Sequence, residues 1–452
     1  MPGAYSITTR TDGEVLTAAK YNTDHQNHID HMEPAYVDDY SVNTSQMRSQ
    51  VDPGESGSES LATTLAAELE RIRYRLAEIS GMTYWYQTGT GVRAQSIAAA
   101  SLPAAGTAGR LAWQSDGVKG LRVDNSTAWI SPGQTINVKN FGATGDGVTN
   151  DAANVQAAVT AIIANGGGTL YFPKGTYLVG TNITIPAGHN VYLVGDGEAS
   201  VIKATTGVTA SIGVVAFGLN AGFGSAPCTS IGASHLKFDG NNLCRALYVH
   251  TCTRGLFTHV WSGNSTAGAF QCYSSTDITL AYSHIENGNG EFGDGVYFES
   301  CTRPKVLYNY VYDFERLGIV MEGAPGANTF DALIEGNNIE YGHNSTGAEA
   351  NGGVWVENCE RAHILNNTMT NLTNSGANAS RGITLGGVTP VGVPDYFIVG
   401  NRISGAQFGM VLSSGSTSRV FVTENHITGT STLIGIYLAT AQIVNIANCT
   451  FV

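Results

Sequence analysis

A repeat constrains this chain more than any other feature. From about residue 230 a polar residue, any residue and an apolar residue recur together. The copies are Ser234-His235-Leu236, Thr258-His259-Val260, Ser283-His284-Ile285 and Asn309-Tyr310-Val311, then Asn337-Asn338-Ile339, Asn367-Thr368-Met369, Asn401-Arg402-Ile403 and Asn425-His426-Ile427. Successive copies start 24 to 34 residues apart. Such a period marks a solenoid, in which each coil stacks only on its neighbours and one core runs the length of the stack. The 452 residues therefore need no division into several compact domains. The recurrent Asn reads as an internal amide ladder at a turn, satisfying buried backbone groups between coils.

A second mark precedes the first in each coil. It runs Leu247-Tyr248-Val249-His250, Phe270-Gln271-Cys272-Tyr273, Val296-Tyr297-Phe298-Glu299, Ile319-Val320-Met321-Glu322, Val354-Trp355-Val356-Glu357 and Ile383-Thr384-Leu385-Gly386, and continues at Met410 and Ile436. These are strands with period-two alternation. Their first and third residues are apolar and face inward; the second and fourth face outward. Cys252, Cys301 and Cys359 follow, each with an Arg two residues later, and read as an inward stack rather than metal ligands.

Neighbouring strands lie about 4.8 Å apart, so stacking the coils lines up equivalent residues. The fourth-position column becomes His250, Tyr273, Glu299, Glu322, Glu357, Gly386. The column beside it becomes Tyr248, Gln271, Tyr297, Val320, Trp355, Thr384. Three glutamates thus stand on three successive coils, next to aromatic rings. Glycoside hydrolysis needs two carboxyls, roughly 5 Å apart for a nucleophile with an acid and roughly 6.5–9.5 Å for an inverting pair. Crowded like charges raise at least one pKa, as a general acid requires. Glu299, Glu322 and Glu357 are therefore the catalytic candidates. Tyr273, Tyr297, Trp355 and His250 are candidates for contacting sugar rings. Loops from Glu286 to Asp294 and from Gly342 to Gly352 would wall a groove and add Glu291, Asp294 or Glu349. Arg316 and Arg381, just before two strands, would bind an acidic sugar. Asp239, Asp313, Glu315 and Glu340 stand in reserve. The competing reading is that the glutamates are ordinary solvated surface, since exposed repulsion is cheap in water and salt.

The repeat has a distinct beginning. Residues 136–200 open with Val138-Lys139-Asn140-Phe141-Gly142-Ala143 and Gly145-Asp146-Gly147-Val148-Thr149-Asn150-Asp151. An amphipathic helix follows, with Val155, Ala158, Val159, Ile162 and Ile163 on one face, Asn150 or Asp151 as its cap and Gly166-Gly167-Gly168 ending it. A helix laid over the first coil covers its unpaired strand edges. The segments "NFGATGDGVTND" and "GGGTLYFPKGTYLV" resemble the N-terminal signature of the pectate-lyase-superfamily domain found in bacteriophage tailspikes and other polysaccharide-acting β-helices. "GEVLTAAKYNTDHQNHID" and "LPAAGTAGRLAW" resemble N-terminal regions of phage tail fibres. The resemblance implies a right-handed single-stranded parallel β-helix, an all-β solenoid, with its N-terminal cap. It implies a tailspike that binds host capsule or O-antigen and degrades it by hydrolysis. The alternatives are a non-catalytic receptor-binding fibre or adhesin, and a lyase. The family includes lyases that use Ca²⁺, but no Asp-rich cluster suggests a calcium cage, so elimination ranks below hydrolysis.

The expected organisation is an anchoring segment over 1–58, a coiled-coil helix over 59–81, a β-rich neck over 82–135 and the β-helix over 136–452, with coils repeating from about 230. Leu65, Leu69, Ile72, Leu76 and Ile79 form the heptad seam; with the resemblance they imply a homotrimer joined to a phage tail or baseplate through the N-terminal segment. His25, His28 and His31 lie close together without accompanying Cys or carboxylates, which signals a metal site only weakly. No metal or cofactor is expected. The formal net charge of −13 disfavours nucleic acid and anionic membranes as partners. No apolar run reaches the roughly 18 residues of a membrane span. The start of the chain lacks the pattern of a signal peptide, and the seven Cys read as reduced core thiols. The expected location is the virion, after synthesis in the host cytoplasm and release by lysis. The last residues, up to Val452, read as part of a further coil.

Overall fold

The computed structural model describes residues 135–452, apart from 219–226, 325–326, 345–350, 375–379, 387–394, 414–417, 430–433 and 439–442, together with short stretches between 96 and 130. The expected anchor and coiled coil, with His25, His28 and His31, fall outside the described residues, as does Glu349. The chain divides into two units, Met1–Pro132 and Gly133–Val452. In the first, strands Ser96–Ile97, Leu111–Gln114, Gly120–Asp124 and Trp129–Ile130 form a four-stranded sheet.

The second unit is a parallel β-solenoid. A ten-stranded front sheet runs from Ile183–Ile185 to Ile434–Leu438, one strand per coil. The rest of each coil returns through a larger sheet of 23 strands. Alternation sets the sides: Val296 and Phe298, Ile319 and Met321, Val354 and Val356 are buried inward on successive front strands. Phe217, Phe257, Phe270 and Phe298 meet inside at centroid distances of 5.5, 5.3 and 5.6 Å. Near the start of the unit lies helix α1 (Ala152–Ala164), which buries Val155, Ala158, Val159 and Ile162 against the first coils. Asp151 sits at its cap position, but its carboxylate accepts from the N–H groups of Thr144 (2.7 Å) and Gly145 (2.9 Å), so it shapes the preceding loop. Asn150 Oδ1 accepts from Ala152 N–H instead, at 3.1 Å.

Three columns hold the corners in register. At one, Cys228, Cys252, Ser275, Cys301, Thr329 and Cys359 follow one another; Cys252 N–H donates to Ser275 Oγ at 3.0 Å and Cys301 N–H to Thr329 Oγ1 at 3.2 Å. At another, Asn309, Asn337, Asn367, Asn401 and Asn425 form the amide ladder. Each of the first four amides donates to the next Oδ1 at 2.9–3.0 Å and to a backbone carbonyl behind it at 2.8–3.0 Å, and Asn425 ends the ladder beside Cys449. The third is glycine. Gly295, Gly318, Gly353, Gly382 and Gly409 each precede the first inward residue of a front strand. A Cβ at any of them would lie 2.5–2.8 Å from the carbonyl oxygen of the equivalent glycine in the next coil, so only glycine fits this corner.

One register differs from the sequence reading. Thr258 pairs with Ala281 and Trp261 with His284, so Val260 occupies the place of Ser283 in the ladder. The first two copies of the repeat are thus displaced by two residues. Cys228–Asp239 and Cys252–Ser265 are long strands that turn the corner unbroken, and an alternating strand offers the same polar-any-apolar pattern every two residues.

Candidate active site

The front sheet carries both columns read from the sequence. His250, Tyr273, Glu299, Glu322, Glu357 and Gly386 pair in succession, as do Tyr248, Gln271, Tyr297, Val320, Trp355 and Thr384. The three glutamates are half-buried, at the C-terminal ends of strands Val296–Glu299, Leu317–Glu322 and Gly352–Glu357. The second column faces outward yet is largely covered: Gln271, Val320 and Thr384 are buried.

Tyr297 is the centre of the arrangement. Its ring is buried against Leu317 and Val320, with Tyr273 and Trp355 packed around them. The ring is therefore covered rather than offered as a face to a sugar. Its hydroxyl lies 2.7 Å from Glu299 Oε2 and 2.9 Å from Glu322 Oε2. A phenol has one hydrogen to give. It donates to Glu299, and the second contact becomes a hydrogen bond when Glu322 is protonated and donates to the phenolic oxygen. Burial holds the Glu322 carboxyl above the usual carboxylate range. Donation of the Tyr297 hydrogen to ionised Glu322 instead of Glu299 opposes the shift, the charges of Glu357 and Glu299 add to it, and that of Arg316 opposes it. The Tyr297 hydroxyl itself is pushed far up, first by burial and then by its bond to Glu299. Two carboxyl oxygens sharing one hydroxyl at such distances are less than about 6 Å apart, close to the separation of a nucleophile and an acid.

Glu357 has a separate partner, the Trp355 indole N–H, which donates to its Oε2 at 2.9 Å. On the other side of the glutamates, Tyr273 touches Tyr297 at 5.6 Å and Tyr248 at 5.2 Å between centroids. Arg245 lies over both Tyr248 and Tyr273, and His250 lies 6.2 Å from Tyr273. Burial lowers the His250 pKa, against the pull of Glu299. Sequence reasoning put Tyr248 in the outward column without naming it as a site residue, and it missed Arg245. The alternation that placed Tyr273 outward places Tyr248 outward as well, whereas Arg245 precedes the repeating pattern and gave no signal.

The two arginines part company. Arg316 donates to both oxygens of buried Asp294, Nε to Oδ1 at 2.9 Å and Nη2 to Oδ2 at 2.7 Å. That pair ties the 289–294 loop to the start of a front strand, so the two residues expected to face the groove face each other. Arg381 lies with its guanidinium 5.4 Å from the Trp355 ring centroid. Among the described residues no three His, Cys, Asp or Glu side chains group as a metal site, and no helix is long and apolar enough to cross a membrane.

Residues 135–299 match the family model described as rhamnogalacturonase A/epimerase, pectate lyase-like. Over 114 residues, 23% of this chain and 11% of the relative, it is 41% identical to mannuronan C5-epimerase AlgE5 of Azotobacter vinelandii. Over 121 residues, 25% of this chain and 18% of the relative, it is 31% identical to the tail spike protein of Shigella phage Sf6. The chain thus spans less than a fifth of either relative. Its fold is that of ORF18 of Geobacillus virus E2, with TM-score 0.56 and 19% identity, over 70% of this chain and 62% of that one.

Proposed function

We propose that this chain, whose residues 135–299 match a pectate-lyase-like family model, is a phage tailspike that holds host surface polysaccharide along its front sheet and hydrolyses it. The observation that carries the reading is the Tyr297 hydroxyl set between Glu299 and Glu322. Glu322 is the general acid, because burial between two other carboxyls favours its protonated form. Glu299 is the nucleophile, steadied by the Tyr297 hydrogen. Attack of its carboxylate on the anomeric carbon expels the leaving oxygen, which takes the proton of Glu322 as the glycosidic bond breaks. Water then attacks the glycosyl-enzyme, Glu322 takes its proton, and both groups return to their starting states. Glu357, held by Trp355, keeps the Glu322 proton in place by repulsion. Tyr273 and His250 on one side, and Trp355 on the other, line the path of the polymer.

Likeness to a phage tail spike and to a polysaccharide-modifying epimerase supports this class of substrate. The wider proposal is a homotrimeric virion protein attached to the tail through its N-terminal segment, made in the host cytoplasm and released by lysis.

Size-exclusion chromatography of host polysaccharide incubated with the protein tests the activity. Shortening by the parent that is lost in Glu322→Gln and Glu299→Gln supports hydrolysis. Proton NMR of the first product should show retained anomeric configuration; inversion would move the second carboxyl from Glu299 to a more distant partner. Product ends bearing an ultraviolet-absorbing double bond would mean elimination. Polymer bound but uncut would make the protein an adhesin.

A further inference from the structure

Each coil makes a front strand and then two runs through the larger sheet. Those two runs meet at a corner just before the amide ladder, where Tyr282, Tyr308, Gly336, Asn366 and Gly400 follow one another. Their backbone is left-handed, with φ of 49°, 55°, 67°, 55° and 69°. Glycine and asparagine suit that geometry, whereas a bulky ring is disfavoured there. Tyr282 and Tyr308 occupy it nonetheless, stacked 5.5 Å apart and 57% and 47% exposed. On the side before the corner, outward Leu307, Leu333, Leu365, Phe397, Val399 and Phe421 stay partly exposed beside the buried inward residues Val306, Ile334, Ile364 and Ile398. Phe397 and Phe421 stack at 5.0 Å. The side after the corner carries Tyr310, Tyr312 and Tyr341, 5.7 Å between centroids at each step. Outward positions of a solvated sheet are polar, and a contiguous apolar patch marks a contact surface.

The partner that fits is a second copy of this chain. A like solenoid laid alongside repeats the rise of about 4.8 Å per coil, and rotation about an axis parallel to the stack brings equal coils to equal height. Charges match at that height. Lys305, exposed before the corner, shares its coil with Tyr312, whose register neighbours on the two adjoining coils are Glu286 and Glu340. A neighbour's Lys305 therefore arrives between two carboxylates, and its Leu307 arrives at Tyr310. A strip about 35 Å long and 20 Å wide offers roughly 700 Å², near the ~800 Å² per partner of a stable interface.

We propose that the side before the corner of one copy packs against the side after the corner of the next, with Tyr282 and Tyr308 facing the threefold axis. This rests on the homotrimer reading above and gives it a face. Of the three runs in each coil, only the front strand does not border this corner. The front sheet therefore faces outward, and each groove is complete within one chain.

The test uses the full chain. Tyr308→Cys is oxidised by air with copper–phenanthroline and run on a non-reducing gel. Three thiols at one axis make a single disulfide, so about two thirds of the chains should run as dimers and one third as monomers. Asp277→Cys, at the corner next to the front sheet, and the parent should stay monomeric on the same gel. In sedimentation equilibrium the parent should show a three-chain mass. Leu365→Glu with Phe397→Glu should weaken assembly about tenfold or more, with the circular dichroism of the parent retained. Lys305→Glu should weaken it less, and adding Glu340→Lys should restore part of the loss. The dissociated Leu365→Glu, Phe397→Glu variant should shorten polysaccharide at the parent rate per chain. A three-chain mass without the Tyr308→Cys dimer, or unmoved by both sets of substitutions, would overturn this face and keep the trimer. Dimers from every chain would mean a twofold axis and overturn the arrangement. A single-chain mass for the parent at micromolar concentration would remove trimer and interface together and leave hydrolysis standing. Cleavage lost on dissociation would overturn the placement of a complete groove in one chain.

Discussion

Two columns of charge run along this solenoid, one at each side of a single turn. Glu299, Glu322 and Glu357 close three successive front strands. A few residues later in each coil stand Arg254, Asp277, Arg303, Asp331, Arg361, Asp395 and Arg419, also one above another. The second column alternates in sign, and its members pair: Arg303 with Asp277, Arg361 with Asp331, Arg419 with Asp395. The first column repeats one sign. A stacked fold places identical environments about 4.8 Å apart, so every column must answer the question of what sits next to itself. Asparagine answers it by being both donor and acceptor, and Arg with Asp answers it by alternation. Glutamate has no such answer. Its repetition works against the fold and supplies the crowding that the proposed general acid needs.

The largest effect expected from this contrast is on activity. Glu322→Gln keeps shape and hydrogen bonding but removes the transferable proton. Polysaccharide cleavage should fall by roughly 10²–10⁴-fold, as for loss of a general acid, with binding in affinity electrophoresis nearly intact. A variant that cuts at the parent rate would return the glutamate column to ordinary surface. Next in size is the amide ladder. Asn367 accepts the backbone and side-chain N–H groups of Asn337 and donates to Ile334 and Asn401, all buried. Asn367→Ala orphans several of these groups and should cost about 3 kcal/mol, seen as a lower urea midpoint.

These columns were legible in the sequence because a solenoid turns spacing into contact. The strands around Tyr297 and Trp355 show the alternation clearly, and the pairing of Glu299, Glu322 and Glu357 follows from it. What spacing does not carry is the direction of side-chain hydrogen bonds. Tyr297 reads as a flat sugar platform in the sequence, and its burial under Leu317 and beside Val320 turns it into a clamp on two carboxyls. Arg316 and Asp294 read as groove residues, yet they lie 22 positions apart and meet only because the loop folds back on its coil. The glycine corner was missed for a simpler reason. Gly295, Gly318 and Gly353 precede the apolar mark, and in a chain with 56 glycines their column does not stand out by composition.

A smaller effect sharpens the comparison through stability. The Glu322 pKa is raised, first by burial. A carboxyl with a raised pKa contributes stability that is present below its unfolded value, here near 4.5, and lost as pH rises through the folded value. Glu322→Gln should therefore raise the melting temperature at pH 7, and the gain should vanish below about pH 4.5. A variant that is less stable than its parent at pH 7 would mean that the Tyr297 contact outweighs burial and repulsion.

The smallest effect belongs to the alternating column. The Arg361–Asp331 pair is exposed, with side chains 50% and 38% accessible, so screening by water and salt leaves it little strength. Asp331→Ala should cost well under about 1 kcal/mol, and less still in high salt. Its pH dependence has the opposite sign to that of Glu322. Asp331 is held low, chiefly by the Arg361 hydrogen bond, so its contribution is present at neutral pH and lost as pH falls through the folded value. Asp331→Arg makes the decisive version of the experiment, because it leaves Arg303, position 331 and Arg361 as three like charges on adjacent coils. It should cost more than Asp331→Ala, and salt should recover part of the difference. If instead the two variants melt together at all salt concentrations, like charges one coil apart are free of cost on this fold, and the glutamate column loses its claim to a purpose.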